Sequence, residues 1–175
     1  EIPRYEVEYR IKSATGAWRW VHSLGRVTER DAAGRPLRMS GTNTDITERK
    51  RADSALAQLA AIVENSQDAI IGRSLGTAEV TSWNAAATRL FGYTAQEAVG
   101  RSIDFIVPED QLQEVARNRA LLAAGRPVPA YDTVRLVRDG RRIDVSITQS
   151  AIMDAGGTMI GVSLIIRDIS ERKRA

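Results

Sequence analysis

An octapeptide occurs twice in this chain, and internal repetition limits the fold before any local pattern is weighed. Asp45-Ile46-Thr47-Glu48-Arg49-Lys50-Arg51-Ala52 returns as Asp168-Ile169-Ser170-Glu171-Arg172-Lys173-Arg174-Ala175, an offset of 123 residues. The likeness extends backwards without a gap: residues 31–52 align with 154–175, and 11 of the 22 positions are identical. Two small modules are therefore expected within the 175 residues.

In both copies an Asp-Ala-x-Gly turn leads into an extended segment, and Asp-Ile-(Thr/Ser)-Glu then opens a basic run containing alanine. An Asp followed three positions later by Glu is the pattern of a reciprocal helix cap, with Glu48 and Glu171 reaching back to Asp45 and Asp168. Each copy reads as a strand handing over to a helix.

The chain has no cysteine, which removes disulfides, thiolate metal sites and cysteine nucleophiles and agrees with a reducing, cytoplasmic setting. The longest apolar run, residues 159–166, is broken by Gly161 and Ser163 and is far shorter than the roughly 20 residues a membrane helix needs. Net charge is +3, but the arginines are scattered, and the two Arg-Lys-Arg runs read as solvated helix faces. No nucleic acid and no membrane are expected as partners of this segment.

Residues 5–12 alternate apolar and charged side chains, the period of a half-buried strand. Residues 18–24 and 37–44 give two more strands separated by turn residues, an antiparallel meander. Residues 46–66 lack Gly and Pro and read as a helix with an apolar stripe of Ala52, Leu56, Leu59 and Val63. That stripe serves equally for a dimer seam or for packing on its own domain.

Residues 68–73 and 78–83 give two short strands. Asn84 caps a helix stopped by Gly92, and Thr94 with Glu97 forms a capping box. Pro108 sits at the first turn of a longer helix over residues 110–124, with Leu112, Val115, Ala116, Arg119 and Leu122 on one face. Three strands follow, at 131–138, 142–152 and 158–167. Parity puts Val145, Ile147 and Gln149 on one face of the second, and Ile160, Val162, Leu164 and Ile166 on one face of the third.

The Asp-Ile-Thr-Glu-Arg-Lys junction after a terminal strand, together with residues 83–93 (Trp-Asn-Ala-Ala-Ala-Thr-Arg-Leu-Phe-Gly-Tyr) and Glu97-Ala98-Val99-Gly100, resembles the PAS domains of bacterial signalling proteins. The resemblance implies an α+β fold: an antiparallel sheet of about five strands, with short helices and one long helix on one face. It implies further that residues 1–45 are the last three strands of a first PAS domain. Residues 46–66 then connect, 67–168 form a complete second domain, and 169–175 begin an output-linking helix. A lone three-stranded meander has one unprotected apolar face and little core, so the first module is expected to be marginal by itself.

By the same resemblance a ligand, where one exists, lies between the sheet face and the long helix. Arg119, Tyr131 and Gln149 are then its polar handles, and Val145, Ile147, Val162 and Leu164 its apolar walls. Haem sensors of this family carry a histidine on the long helix. Here Val115 stands at the aligned position, and the single histidine, His22, lies in the first meander. Cysteinyl-flavin photochemistry needs a cysteine within residues 100–105, and none is present. No catalytic constellation and no metal cluster stands out. The expectation is a non-catalytic sensor or a passive dimerising relay that works as a homodimer. It would signal to a downstream output domain through the junctions at Asp45 and Thr47 and at Asp168 and Ser170.

Overall fold

The computed structural model describes residues 4–174. The chain divides into two compact units, residues 1–60 and 61–175. In the first, β1 (Arg4–Lys12), β2 (Trp18–Arg30) and β3 (Pro36–Asp45) form an antiparallel sheet in the order β1-β2-β3. β2 runs six residues beyond the expected end at Leu24, because its later part pairs with β3 through register shifts between Val27 and Arg30. Strands β2 and β3 approach so closely at Gly41 that a Cβ there would lie 2.2 Å from the Leu24 carbonyl oxygen.

The core of this unit is thin, as a lone meander requires. Among its described residues only Val21, Ser23 and Ile46 are buried, while Tyr5, Tyr9, Ile11, Trp18, Leu24 and Met39 stay exposed. His22 is half-buried and bonds Glu6 at 2.9 Å.

Helix α1 (Thr47–Glu64) follows, with no buried residue along it. The expected reciprocal cap is not formed. The Ile46 carbonyl, and not that of Asp45, accepts the first helical amide from Lys50, so Asp45 lies one residue too early. Asp45 is still paired with Val21 in the sheet. Its Oδ1 accepts the Thr47 amide at 2.9 Å, a side-chain turn of the kind Asp favours. Glu48 faces outward and pairs with Arg51 at 2.7 Å.

The second unit contains β4 (Ala69–Ser74), β5 (Val80–Trp83), α2 (Ala85–Phe91), α3 (Ala95–Ala98), two 3₁₀ turns (Ile103–Ile106 and Glu109–Gln111) and α4 (Leu112–Ala123). Strands β6 (Tyr131–Leu136), β7 (Arg142–Met153) and β8 (Met159–Asp168) and the short α5 (Ser170–Arg174) complete it. All strand pairs are antiparallel, in the order β5-β4-β8-β7-β6. The sequence caps are present: Asn84 accepts the Ala87 amide, Gly92 closes α2 in the left-handed region at φ 80°, and Thr94 and Glu97 bond reciprocally.

Three expectations shift. Pro108 precedes a 3₁₀ turn, and regular helix starts only at Leu112. The inward face of α4 is also rotated: Leu112 and Ala116 are exposed, and Val115, Arg119 and Leu122 point inward. Ile160 is 55% exposed despite its parity, because it lies at the β8 end beside the register shift at Ile152 and Met153. Phe91, Ile71, Ile106, Val145, Ile147 and Ile166 form the fully buried core. Trp83 lies 5.6 Å from Phe91 and 5.9 Å from Phe105, centroid to centroid.

Candidate functional site

The sheet face and α4 enclose a small cavity of about 30 Å³. Five of the seven residues expected there line it: Arg119, Tyr131, Ile147, Gln149 and Leu164. Val115 lines it too. Two expected walls lie elsewhere. Val145 is fully buried in the main core, and Val162 belongs to a satellite cluster with Leu122 and Val128, because the α4 end covers that part of the sheet.

The polar lining is more cationic than the sequence reading held. Arg73 from β4 and Arg135 from β6 point inward beside Arg119, each only 3% exposed. Strand parity places them there: Arg73 lies on the face of buried Ala69 and Ile71, and Arg135 on that of Thr133 and Tyr131.

Arg119 pairs with Asp104, from the first 3₁₀ turn, through both guanidinium nitrogens. Its Nε is buried with no partner. Burial pushes the Asp104 carboxyl up, but the hydrogen bonds from Arg119 and Ser102 outweigh it and hold the group below the usual carboxylate range. Burial pushes Arg73 down, as does the like charge of Arg119, while Tyr131 and Asp104 oppose the shift. Arg135 is lowered by burial and partly supported by Tyr131 and Glu114. Gln149 Nε2 donates to the Tyr131 hydroxyl at 2.8 Å.

The two junctions have one construction. The Ile46 amide donates to the Trp20 carbonyl and the Ile169 amide to that of Asp144, each at 2.9 Å, and both isoleucines are buried. Asp168 Oδ1 accepts the Ser170 amide at 2.8 Å, as Asp45 does with Thr47. The Thr47 oxygen also accepts the Trp20 amide at 2.9 Å, which ties the helix start to β2.

The basic runs latch onto their own sheets. Arg49 and Lys50 pair with Glu8 on β1, Arg172 with Asp132 on β6, and Lys173 with Asp144. The first junction carries a further pair beside the Thr47 bond: Asp45 also pairs with Arg19 at 2.7 Å. The Thr47 hydroxyl and amide, with Arg19, bring the Asp45 carboxyl down to about 2.

On α1 the stripe residues Ala52, Leu56, Leu59 and Val63 are all exposed, Leu56 at 67%. No group of three His, Asp or Glu able to hold a metal occurs among the described residues, and no described helix is long and apolar enough to cross a membrane.

An antiparallel sheet in this order, with short helices and one longer helix across a small cavity, is a single-sheet α+β arrangement. Residues 57–169 match the PAS fold family, and residues 2–43 match a second PAS fold description. The chain belongs to the PAS fold family.

It is 30% identical over 109 residues to the sensor protein FixL of Bradyrhizobium diazoefficiens, which covers 60% of this chain and 21% of the relative. It is 31% identical over 112 residues to the signal transduction histidine-protein kinase AtoS of Escherichia coli, with coverage of 64% and 18%. The probable diguanylate cyclase DgcE of Escherichia coli is 25% identical over 177 residues, with coverage of 97% and 16%. The chain spans about a fifth or less of these relatives, and the match falls in their PAS regions, which are regulatory. The crystal structure of a PAS domain from Colwellia psychrerythraea superimposes with a TM-score of 0.60 at 22% identity, over 67% of this chain and 99% of that one. The chain is a sensory signal-transduction module of the PAS type.

Proposed function

We propose that the second unit receives a small-molecule or conformational signal at its sheet face and passes it through the Asp168–Ser170 junction to an output domain further along the same parent chain. The repeated joint carries this proposal. In both units a buried isoleucine and one Asp-to-amide bond fix the helix start to the end of the last strand. A small strand shift then becomes a rotation or register change of the helix. Residues 1–45 act as the C-terminal half of a first PAS domain, 46–66 as a connecting helix, 67–168 as the second domain, and 169–175 as the start of the output link. The likeness to AtoS and DgcE supports a histidine kinase or a cyclic-dinucleotide enzyme as output, and the lack of cysteine supports a cytoplasmic setting.

A second reading, a ligand-free dimerising relay, draws on the exposed Leu56, Leu59, Ile62 and Val63 of α1. Native mass spectrometry separates the two. A reproducible extra mass on each protomer supports sensing, and an apo dimer supports the relay. In the parent protein, Asp168→Ala is expected to uncouple input from output while circular dichroism stays unchanged. Normal regulation in that variant refutes the junction's role.

A further inference from the structure

Three guanidinium groups line the cavity, from Arg73, Arg119 and Arg135, and no carboxylate does. Asp104 forms its ion pair with Arg119 and reaches Arg73 only through space. Arg73 donates only to the Ser74 carbonyl, at 3.2 Å. Arg135 donates to the Val134 carbonyl at 2.7 Å and to the Thr133 hydroxyl at 3.3 Å, and Thr133 in turn donates to Glu114. Neither Arg73 nor Arg135 has an ion-pair partner among the described residues, although both are 97% buried (3% exposed). A guanidinium does not escape this by losing its proton, because its pKa remains very high. Burying one without a counter-charge is among the costliest arrangements a fold can hold.

We propose that the cavity is a binding site for a small carboxylate monoanion, of the size of formate or acetate. This deepens the sensing proposal by naming its ligand class. Charge selects the valence: against Arg73, Arg119 and Arg135 stand Asp104 directly and Glu114 through Thr133, leaving one positive charge uncompensated. Space selects the size. About 30 Å³ accommodates roughly two water molecules, which the two oxygens of a carboxylate replace. Donors select the shape, since planar guanidinium forks match a carboxylate. Arg119 Nε is an unused buried donor, and the Tyr131 hydroxyl, accepting from Gln149, keeps its own proton to give.

The test is a titration of the isotope-labelled chain by NMR at constant ionic strength, with sodium formate, sodium acetate, sodium chloride and sodium phosphate as separate probes. Backbone amides of β4, β6 and α4 and the arginine Nε–H signals are followed. Formate or acetate is expected to give saturable shifts confined to these groups, weakened roughly tenfold or more in Arg135→Gln. Should that variant fail to fold, Arg119→Gln, whose side chain reaches the surface, takes its place. Absence of saturable shifts with both carboxylates, equal binding of chloride or phosphate, or unchanged affinity in the variant overturns the assignment. The outcome is separable from the relay proposal. Carboxylate binding with normal regulation in Asp168→Ala removes the relay and leaves the site, while the reverse pattern removes the ligand class and leaves the relay.

Discussion

Asn84 is 2% exposed and makes four side-chain hydrogen bonds. Its Oδ1 accepts the amides of Ala87 at 2.9 Å and Ile70 at 3.0 Å, and its Nδ2 donates to the carbonyls of Val63 at 2.9 Å and Asp68 at 3.2 Å. One side chain thus joins the end of α1, the entry to β4 and the start of α2. Asn84→Ala removes all four bonds, at about 1 kcal/mol each. Val63 is 40% exposed and its carbonyl can turn to water, whereas the Ala87 amide sits in a residue with no exposure and cannot. The expected loss is therefore about 3 kcal/mol, beyond the roughly 1 kcal/mol of an ordinary helix cap. Asn84→Asp keeps both acceptor bonds but turns a carboxylate oxygen toward two carbonyls, and is expected to cost as much or more. Native-state hydrogen exchange in the second unit reads the loss directly, with the Ile70 and Ala87 amides losing local protection first. A loss near 1 kcal/mol, or an Asp variant as stable as the parent, would show that Asn84 acts as a cap and nothing further.

Three other perturbations test separate parts of the molecule. Gly41→Ala places a methyl against the Leu24 carbonyl oxygen and is expected to cost at least about 2 kcal/mol, seen as lost amide protection along β2 and β3. The Asp45 carboxyl titrates at about 2, below its unfolded value of about 3.9. Its support for the first junction is complete above the unfolded value and fades as pH falls toward 2. Protection of the Thr47 amide is thus expected to be flat near neutrality and to drop between about pH 4 and 2, and Asp45→Asn removes that step. Leu56→Glu with Leu59→Glu alters exposed positions and is expected to leave stability within about 0.5 kcal/mol. If the α1 stripe is a dimer seam, sedimentation of this variant reports a monomer.

The order of elements was legible because local chemistry and global fold agree: alternating strands, glycine stops, and caps at Asn84 and Thr94. The cavity was half legible. Arg119 and Gln149 stand out as polar intrusions on apolar faces, and Tyr131 comes in only through the family resemblance. Arg73 and Arg135 were not legible: arginine is seldom buried, β4 reads Ala-Ile-Ile-Gly without alternation, and in β6 the apolar Val134 and Leu136 have the opposite parity to Arg135. The pattern at Asp45 misleads for a different reason. The sequence pattern is blind to whether the strand is still paired, and the Asp45 pairing with Val21 moves the true cap to Ile46.

The two copies separate what the joint needs from what the sheet face needs. Register sets Val21 opposite Asp45 and Val145 opposite Asp168, so positions in one sheet map onto the other. By that mapping Glu8, opposite His22, corresponds to Asp132, opposite Ser146, and each pairs with the first arginine of its basic run. The latch is the same although the acid is one methylene shorter in the second copy. Two residues further along the strand, the same mapping sets Ser23 and Asn43 against Ile147 and Ile166. In the first unit these are hydrogen-bonded to each other, and Ser23 also bonds the Tyr9 hydroxyl at 3.1 Å. In the second they are apolar walls beside the arginine-lined cavity. A shared handover with divergent faces fits the proposed relay, in which the strand-to-helix joint keeps its construction whatever the face in front of it holds.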